Sequence, residues 1–254
     1  TFVKDNIPLK GLPTQHGTLA FKAKNEKRNG KFASQYLSTG MVPLGKSTMP
    51  EFGLLCSAEN PNWGITRNPW NTDYTPGGSS SGSAALVASG VVPIASANDG
   101  AGSIRIPAAC CGLVGLKPSR GRLVLTDGSN LMPINIVCEG VLTRSVRDTA
   151  AFYAEAEKYY QNKAMPAMGL VQHAPTKRLR ILFFENIQSG KTGYQDEPTN
   201  QALLANAKLL ESLGHHVDVI QSPHNIEDHI DEFLCYYGFL ATVVRDLSGL
   251  VLTG

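Results

Sequence analysis

The chain has 254 residues, 42% hydrophobic and 17% charged, with 25 Gly and 15 Pro, enough for one large domain or two small ones around a sizeable core. The charged share is below the ~25% of an average soluble chain, which points to much buried surface and excludes disorder and coiled coil. A net charge of +2 without a long basic run argues against a nucleic-acid partner, and every apolar run breaks well short of the ~20 residues that span a bilayer.

The chain opens on TFVKDNIPLKG, which has the pattern of neither a signal nor a transit peptide. Phe2 and Val3 read as the end of a strand whose beginning is missing, and SGLVLTG closes the chain without a cap. The expectation is therefore a partial chain, lacking N-terminal and C-terminal parts. A polar helical stretch near 30–40 precedes a short strand at 41–45. Residues 83–89 (SAALVAS) read as a helix stopped by Gly90, and 91–95 as a buried strand. Further strands are expected at 113–116 and 141–142. Ser145 and Asp148 open a helix in capping-box style. Residues 179–184 (LRILFF) form a strand, and Asp196-Glu197-Pro198 begins a helix with Leu203, Ala207, Leu210 and Leu213 on one face, ended by Gly214. The last strand is 217–220. This alternation predicts an α/β fold: a mixed, largely parallel sheet covered by helices on both faces, forming one domain over residues 1–254.

Two loops dominate the middle of the chain, GGSSSGS at 77–83 and NDGAGSIRIP at 98–107. Successive N–H groups in such turns converge on one point and bind negative charge. Flexible turns are the plain reading. A nucleotide cradle fails because neither GxxxxGKS/T nor a GxGxxG after a strand is present. An oxyanion hole beside a nucleophilic serine is the third, and it needs a base. The six His stand at 16, 173, 215, 216, 224 and 229, none inside or between the loops, and no GxSxG elbow occurs. Lysine can replace His in such a role, and Lys4 is a candidate, although an isolated lysine is ordinarily a solvated surface residue. The five Cys (56, 110, 111, 138, 235) show no metal spacing and read as reduced thiols.

These residues resemble the amidase signature family, whose members hydrolyse carboxylic amides with a Ser–Ser–Lys triad. VKDNI at 3–7, GLPTQHG at 11–17, VPLGKSTMPEFG at 42–53, PGGSSSGSAALVASG at 76–90, ANDGAGSIRIPAACCGLVGLKPSRGRL at 97–123 and EGVLTRSVRD at 139–148 carry the resemblance, over about residues 1–220. The second loop looks most like the branch that includes 6-aminohexanoate-cyclic-dimer hydrolase.

Position by position, the resemblance makes Lys4 the catalytic lysine, Ser79 the bridging serine and Ser103 the acyl-forming nucleophile. Asp99, Gly102, Ile104, Arg105 and Pro107 frame the nucleophile, and Ser80 is expected to be a hydrogen-bonding neighbour. The backbone amides of Gly100, Ala101, Gly102 and Ser103 would form the oxyanion hole. The family also holds the peptide before the bridging serine, here Gly78–Ser79, in cis. The implied chemistry needs a neutral Lys4, hence a buried one, because a lysine of ordinary pKa about 10.4 is charged near neutrality. Ser81 and Ala101 stand where the family usually has Gly, at a cost of about 1–2 kcal/mol each if either must take positive φ.

The resemblance implies a small-molecule amide, linear or cyclic, as substrate, with no cofactor and no metal. It implies no nucleic-acid or membrane partner and a cytoplasmic location, and a homodimer is kept as an option. The alternatives are an amidotransferase A-type subunit working in a complex, or a truncated non-catalytic portion. Cys110 and Cys111, in an apolar stretch, are expected in the core. Lys117 is expected to be structural, and His215-His216 an edge feature.

Overall fold

The computed structural model describes residues 1–125, 127–128, 132–174, 176–184, 195–221 and 226–247, the side chains of 226–228 and 244–247 excepted. The closing SGLVLTG lies outside these residues. The chain divides into two units, Thr1–Gln172 and His173–Gly254.

In the first unit, β1 (Val3–Lys4) pairs in parallel with β2 (Lys46–Ser47), Val3 opposite Lys46 and Lys4 opposite Ser47. The strand expected at 41–45 begins only here. Pro43 has no N–H to give, and Leu44 N–H reaches Thr1 O alone. Between them lies α1 (Lys31–Ser38), as expected. A 3-10 turn at Glu51–Gly53 and an antiparallel pair, β3 (Glu59–Asn60) with β4 (Gly64–Ile65), lead to α2 (Ser81–Ala88). There follow β5 (Ile94–Asp99), α3 (Arg105–Cys111), β6 (Val114–Gly115), β7 (Cys138–Thr143) and α4 (Val146–Tyr159).

The mixed α/β class stands, with one correction to the pairing. Of the five strand pairs described, two are parallel; the three-stranded sheet, in the order β5-β7-β6, is antiparallel throughout. Because β5 and β6 both run against β7, they are parallel to each other, joined by α3. The alternation rule identifies that crossover, but β7 inserts into the gap between its two strands. Strand β5 starts three residues later than the apolar run 91–95 and continues through polar Ser96, Asn98 and Asp99, all buried.

Helices cover this sheet on both faces. Ile94 and Val141 join Phe32 and Tyr36 of α1 and Phe152, Tyr153 and Ala156 of α4 in one apolar cluster. Ala97 and Leu142 join Ala84 of α2 and Ala108 and Cys111 of α3 in another. Each large side chain so buried contributes about 1.5–3 kcal/mol. Ser145 caps α4 by accepting from Asp148 N–H at 3.1 Å, as its spacing predicts. Of the adjacent cysteines only Cys111 is buried; Cys110 is exposed, since neighbours on a helix point about 100° apart.

In the second unit β8 (Arg180–Phe184) runs parallel to β9 (His216–Ile220), with α5 (Glu197–Ser212) between them in sequence. Asp196 caps α5 through Thr199 N–H at 3.1 Å, and Gly214 leaves it with φ +87°. His216 is an exposed partner of Asp218, as an edge position allows. The last element, α6, spans Ile226–Leu247. No helix among the described residues is long and apolar enough to cross a membrane.

Candidate active site

Lys4 is fully buried, on a strand two residues long. Its backbone N–H donates to Ser96 Oγ at 2.8 Å. Beneath it, Ser47 and Ser83 hydroxyls meet at 2.7 Å, and Ser83 Oγ donates to Ser96 O at 2.7 Å, so β1, β2, α2 and β5 are tied together by hydroxyls. At the other end of the side chain, Lys4 Nζ donates to Ser79 Oγ at 2.8 Å and to Asn98 Oδ1 at 2.7 Å. Burial lowers Lys4 from its ordinary 10.5 to about 7, against the opposing pull of Glu139 and Asp99. The amine therefore loses its proton near neutrality, which lets it act as a base.

Ser79 sits just ahead of α2, after a cis Gly78–Ser79 peptide. Gly78 must be glycine because the chain at 55–57 crosses it closely: a Cβ there would lie 2.3 Å from Ser57 O. Gly53, at the end of the 3-10 turn, packs against Ser79 from another side. Ser80 caps the helix by position only. Its Oγ is buried without a hydrogen-bond partner among the described residues, which corrects the expectation of a bonded neighbour.

The second loop is organised by a carboxylate. Asp99, its side chain wholly buried at the end of β5, accepts from the N–H of Gly102 at 2.7 Å, of Ile104 at 3.2 Å and of Arg105 at 3.4 Å. Arg105 closes the other side with two parallel bonds, Nε at 2.9 Å and a terminal nitrogen at 3.0 Å. Burial pushes Asp99 up, but the Arg105 and amide hydrogen bonds outweigh it and hold the carboxyl below its usual range. This clasp fixes the turn that carries Ser103, which is half-buried between Gly102 and α3. Gly102 has φ +128°, a region open to glycine.

The Amidase family model matches residues 1–248. The chain belongs to the amidase family. "Putative amidase AmiC" of Mycobacterium tuberculosis is 50% identical over 241 residues, 95% of this chain and 50% of that protein. The 6-aminohexanoate-cyclic-dimer hydrolase of Paenarthrobacter ureafaciens is 48% identical over 124 residues, 47% of this chain and 25% of that protein. Among solved structures, a bacterial aryl acylamidase belonging to the amidase signature enzymes superposes with a TM-score of 0.82 at 26% identity, over all of this chain and 54% of that one. The amidase chain thus spans about half the length of the relatives it matches.

Neither departure from the amidase signature meets the condition under which it would cost stability. Positive φ among non-glycine residues occurs at His16 and Phe52, not at Ser81 or Ala101. Of the four amides expected to bind an oxyanion, Gly102 N–H is taken by Asp99, which narrows the set to Gly100, Ala101 and Ser103. Lys117 bonds Pro118 O and Cys138 Sγ, in keeping with a structural role. Among the described residues no group of three or more His, Cys, Asp or Glu is placed to hold a metal ion. Asn98 and Glu139 escaped the sequence reading. Their only signal was that both are polar residues in stretches that fold as fully buried strands.

Proposed function

We propose that this chain carries the acyl-forming machinery of an amidohydrolase that cleaves a small carboxylic amide, linear or cyclic. The observation that carries the reading is a fully buried lysine, poised near pH 7, at 2.8 Å from the hydroxyl of Ser79. Neutral Lys4 takes the proton of Ser79 as Ser79 takes that of Ser103, and Ser103 Oγ bonds the amide carbon. The oxyanion is received by the amides of Gly100, Ala101 and Ser103, at about 3 kcal/mol per aimed donor. The proton returns through Ser79 to the leaving nitrogen, which is otherwise too basic to depart. Water then repeats the sequence on the acyl-enzyme, restoring Ser103. No cofactor enters these steps.

The family model runs through both units, which supports reading residues 1–254 as one amidase signature domain. Five free cysteines support a reducing, cytoplasmic setting. The names of the relatives favour a small-molecule substrate over a macromolecular one.

The test is intact-mass spectrometry after treatment with an organofluorophosphonate across about pH 6–9, where a general base of this kind titrates, followed by peptide mapping. One adduct on Ser103, forming faster as pH rises through about 7 and absent in Lys4→Met, is expected. A folded chain that takes no adduct overturns the reading.

A further inference from the structure

We propose that Asn98 is a positioning residue for this reaction: its side-chain carbonyl holds one N–H of the Lys4 amine so that the amine's lone pair faces Ser79, and Asn6 keeps the carbonyl turned that way. The inference rests on the triad reading given above and adds a residue that the triad does not contain.

A neutral amine has two hydrogens and one lone pair. Lys4 Nζ has two partners, Ser79 Oγ at 2.8 Å and Asn98 Oδ1 at 2.7 Å. A carbonyl oxygen can only accept, so it must take an N–H. A hydroxyl can do either, so Ser79 is the partner able to give its proton to the lone pair. Were both partners hydroxyls, the amine could turn its lone pair to either one. With one carbonyl among them, one N–H is committed to Asn98, and of the two partners Ser79 alone can meet the lone pair when the amine turns to accept.

The carbonyl is itself held in place. Asn98 Nδ2 donates to Asn6 Oδ1 at 3.1 Å, which prevents the amide from exchanging its two ends. Asn6 lies two residues after Lys4 in the turn that leaves β1, and Asn98 is 5% exposed on β5. One short segment thus supplies both the base and the group that sets the base's neighbour. Asn98 also does this without charge, which matters because the charges around Lys4 already oppose its neutral form. Glu139, opposite Asn98 on β7, and Asp99, next to it on β5, both raise the proton affinity of Lys4. Asp5 beside it is turned to the amides of Gln15 and Gly17, and Lys46 on β2 donates to Ile7 O. An acid at position 98 would add a third carboxylate to the two that act on the amine, at direct hydrogen-bond distance.

The experiment follows the rate of fluorophosphonate labelling of Ser103 against pH in the 254-residue chain. In wild type the rate rises through a limb near pH 7. Asn98→Asp moves this limb upward by about one pH unit or more and regains the wild-type plateau at high pH, as an added opposite charge beside an amine requires. Asn98→Ala lowers the plateau about tenfold at every pH, with no recovery at high pH, because orientation and not protonation is lost. Asn6→Ala lowers it about threefold in the same manner. A merely structural Asn98 would change thermal stability and leave the labelling plateau of the folded Asn98→Ala chain at the wild-type level, so a wild-type plateau in Asn98→Ala overturns the inference whatever the limb does in Asn98→Asp. A wild type that takes no label fails the proposed function instead. The Lys4 Nζ–H signals, followed by NMR above pH 7 in wild type and Asn98→Ala, then decide the inference by themselves: a hydrogen-bonded Nζ–H that is lost in Asn98→Ala sustains it, and signals unchanged by the substitution overturn it.

Discussion

The two Gly/Ser loops of this chain look alike in sequence and are built on opposite principles. The loop at 77–83 is pressed into place by neighbouring backbone and leaves Ser79 2% exposed. The loop at 98–107 is drawn tight by one carboxylate and leaves Ser103 half-buried at its rim. In the proposed reaction the proton transfer through Ser79 needs a dry, fixed path, whereas Ser103 as nucleophile must meet a molecule from outside. Shape alone can hold the first, but the second needs a clasp that stays shut while one side is open to solvent.

The largest expected effects fall on the proton path. Lys4→Met, close in volume, should abolish labelling of Ser103, with a loss of about three orders of magnitude or more. It should leave the fold intact, because it removes a buried amine. Its stability relative to wild type should depend on pH with a definite sign. The folded chain gives up the Lys4 proton near pH 7, while the unfolded chain keeps it until about 10.5. Between those values the unfolded state binds more protons, so the wild type gains stability as pH rises and carries the full cost of a buried charge below pH 7. Chemical denaturation of both chains at several pH values reads the difference; a gap that does not narrow toward high pH would remove the buried amine from the account.

Opening the clasp comes next. Asp99→Ala releases the half-exposed Arg105 to solvent and leaves three amides without their acceptor, and should cost about 1–3 kcal/mol of stability with a fall in labelling of about a hundredfold. Gly78→Ala attacks the other loop. A Cβ 2.3 Å from Ser57 O must push two segments apart, at about 1–3 kcal/mol, with labelling lost through displaced Ser79. The smallest effect belongs to Ser80→Ala. Its hydroxyl is buried and unpartnered, so its removal should leave labelling unchanged and stability equal or higher by up to about 1 kcal/mol. A marked loss of labelling in Ser80→Ala would mean that this hydroxyl has a partner during the reaction.

How much of this was legible depended on how local the signal was. Helices α4 and α5 announce themselves because Ser145 and Asp196 cap within three residues, and Gly214 ends the second of them. Lys4, Ser79 and Ser103 were found through the family resemblance, and the buried amine that the chemistry requires is present. The start of β5 is not legible from an apolar run because its interior is polar. Ser96 and Asn98 are buried for the bonds they make to residues more than ninety positions away, and no periodicity records such a bond. For the same reason no local pattern marks Asn98 as a partner of Lys4. The insertion of β7 between β5 and β6 is non-local too, and the order of elements along the chain does not specify it.

Strand β1 is only two residues long, a length at which a strand would ordinarily fray. Its hold is reinforced by Ser96, whose hydroxyl accepts the Lys4 N–H in the interior, and by the Ser47 and Ser83 hydroxyls that tie β2 and α2 to the Ser96 carbonyl. The amide hydrogen of Lys4 should therefore trade with deuterated solvent as slowly as those at the centre of β5 and β7, and far more slowly than those of exposed β4. By that clock a strand of only two residues should rank among the most durable parts of the first unit, and Lys4 should leave its place only when the surrounding core opens with it.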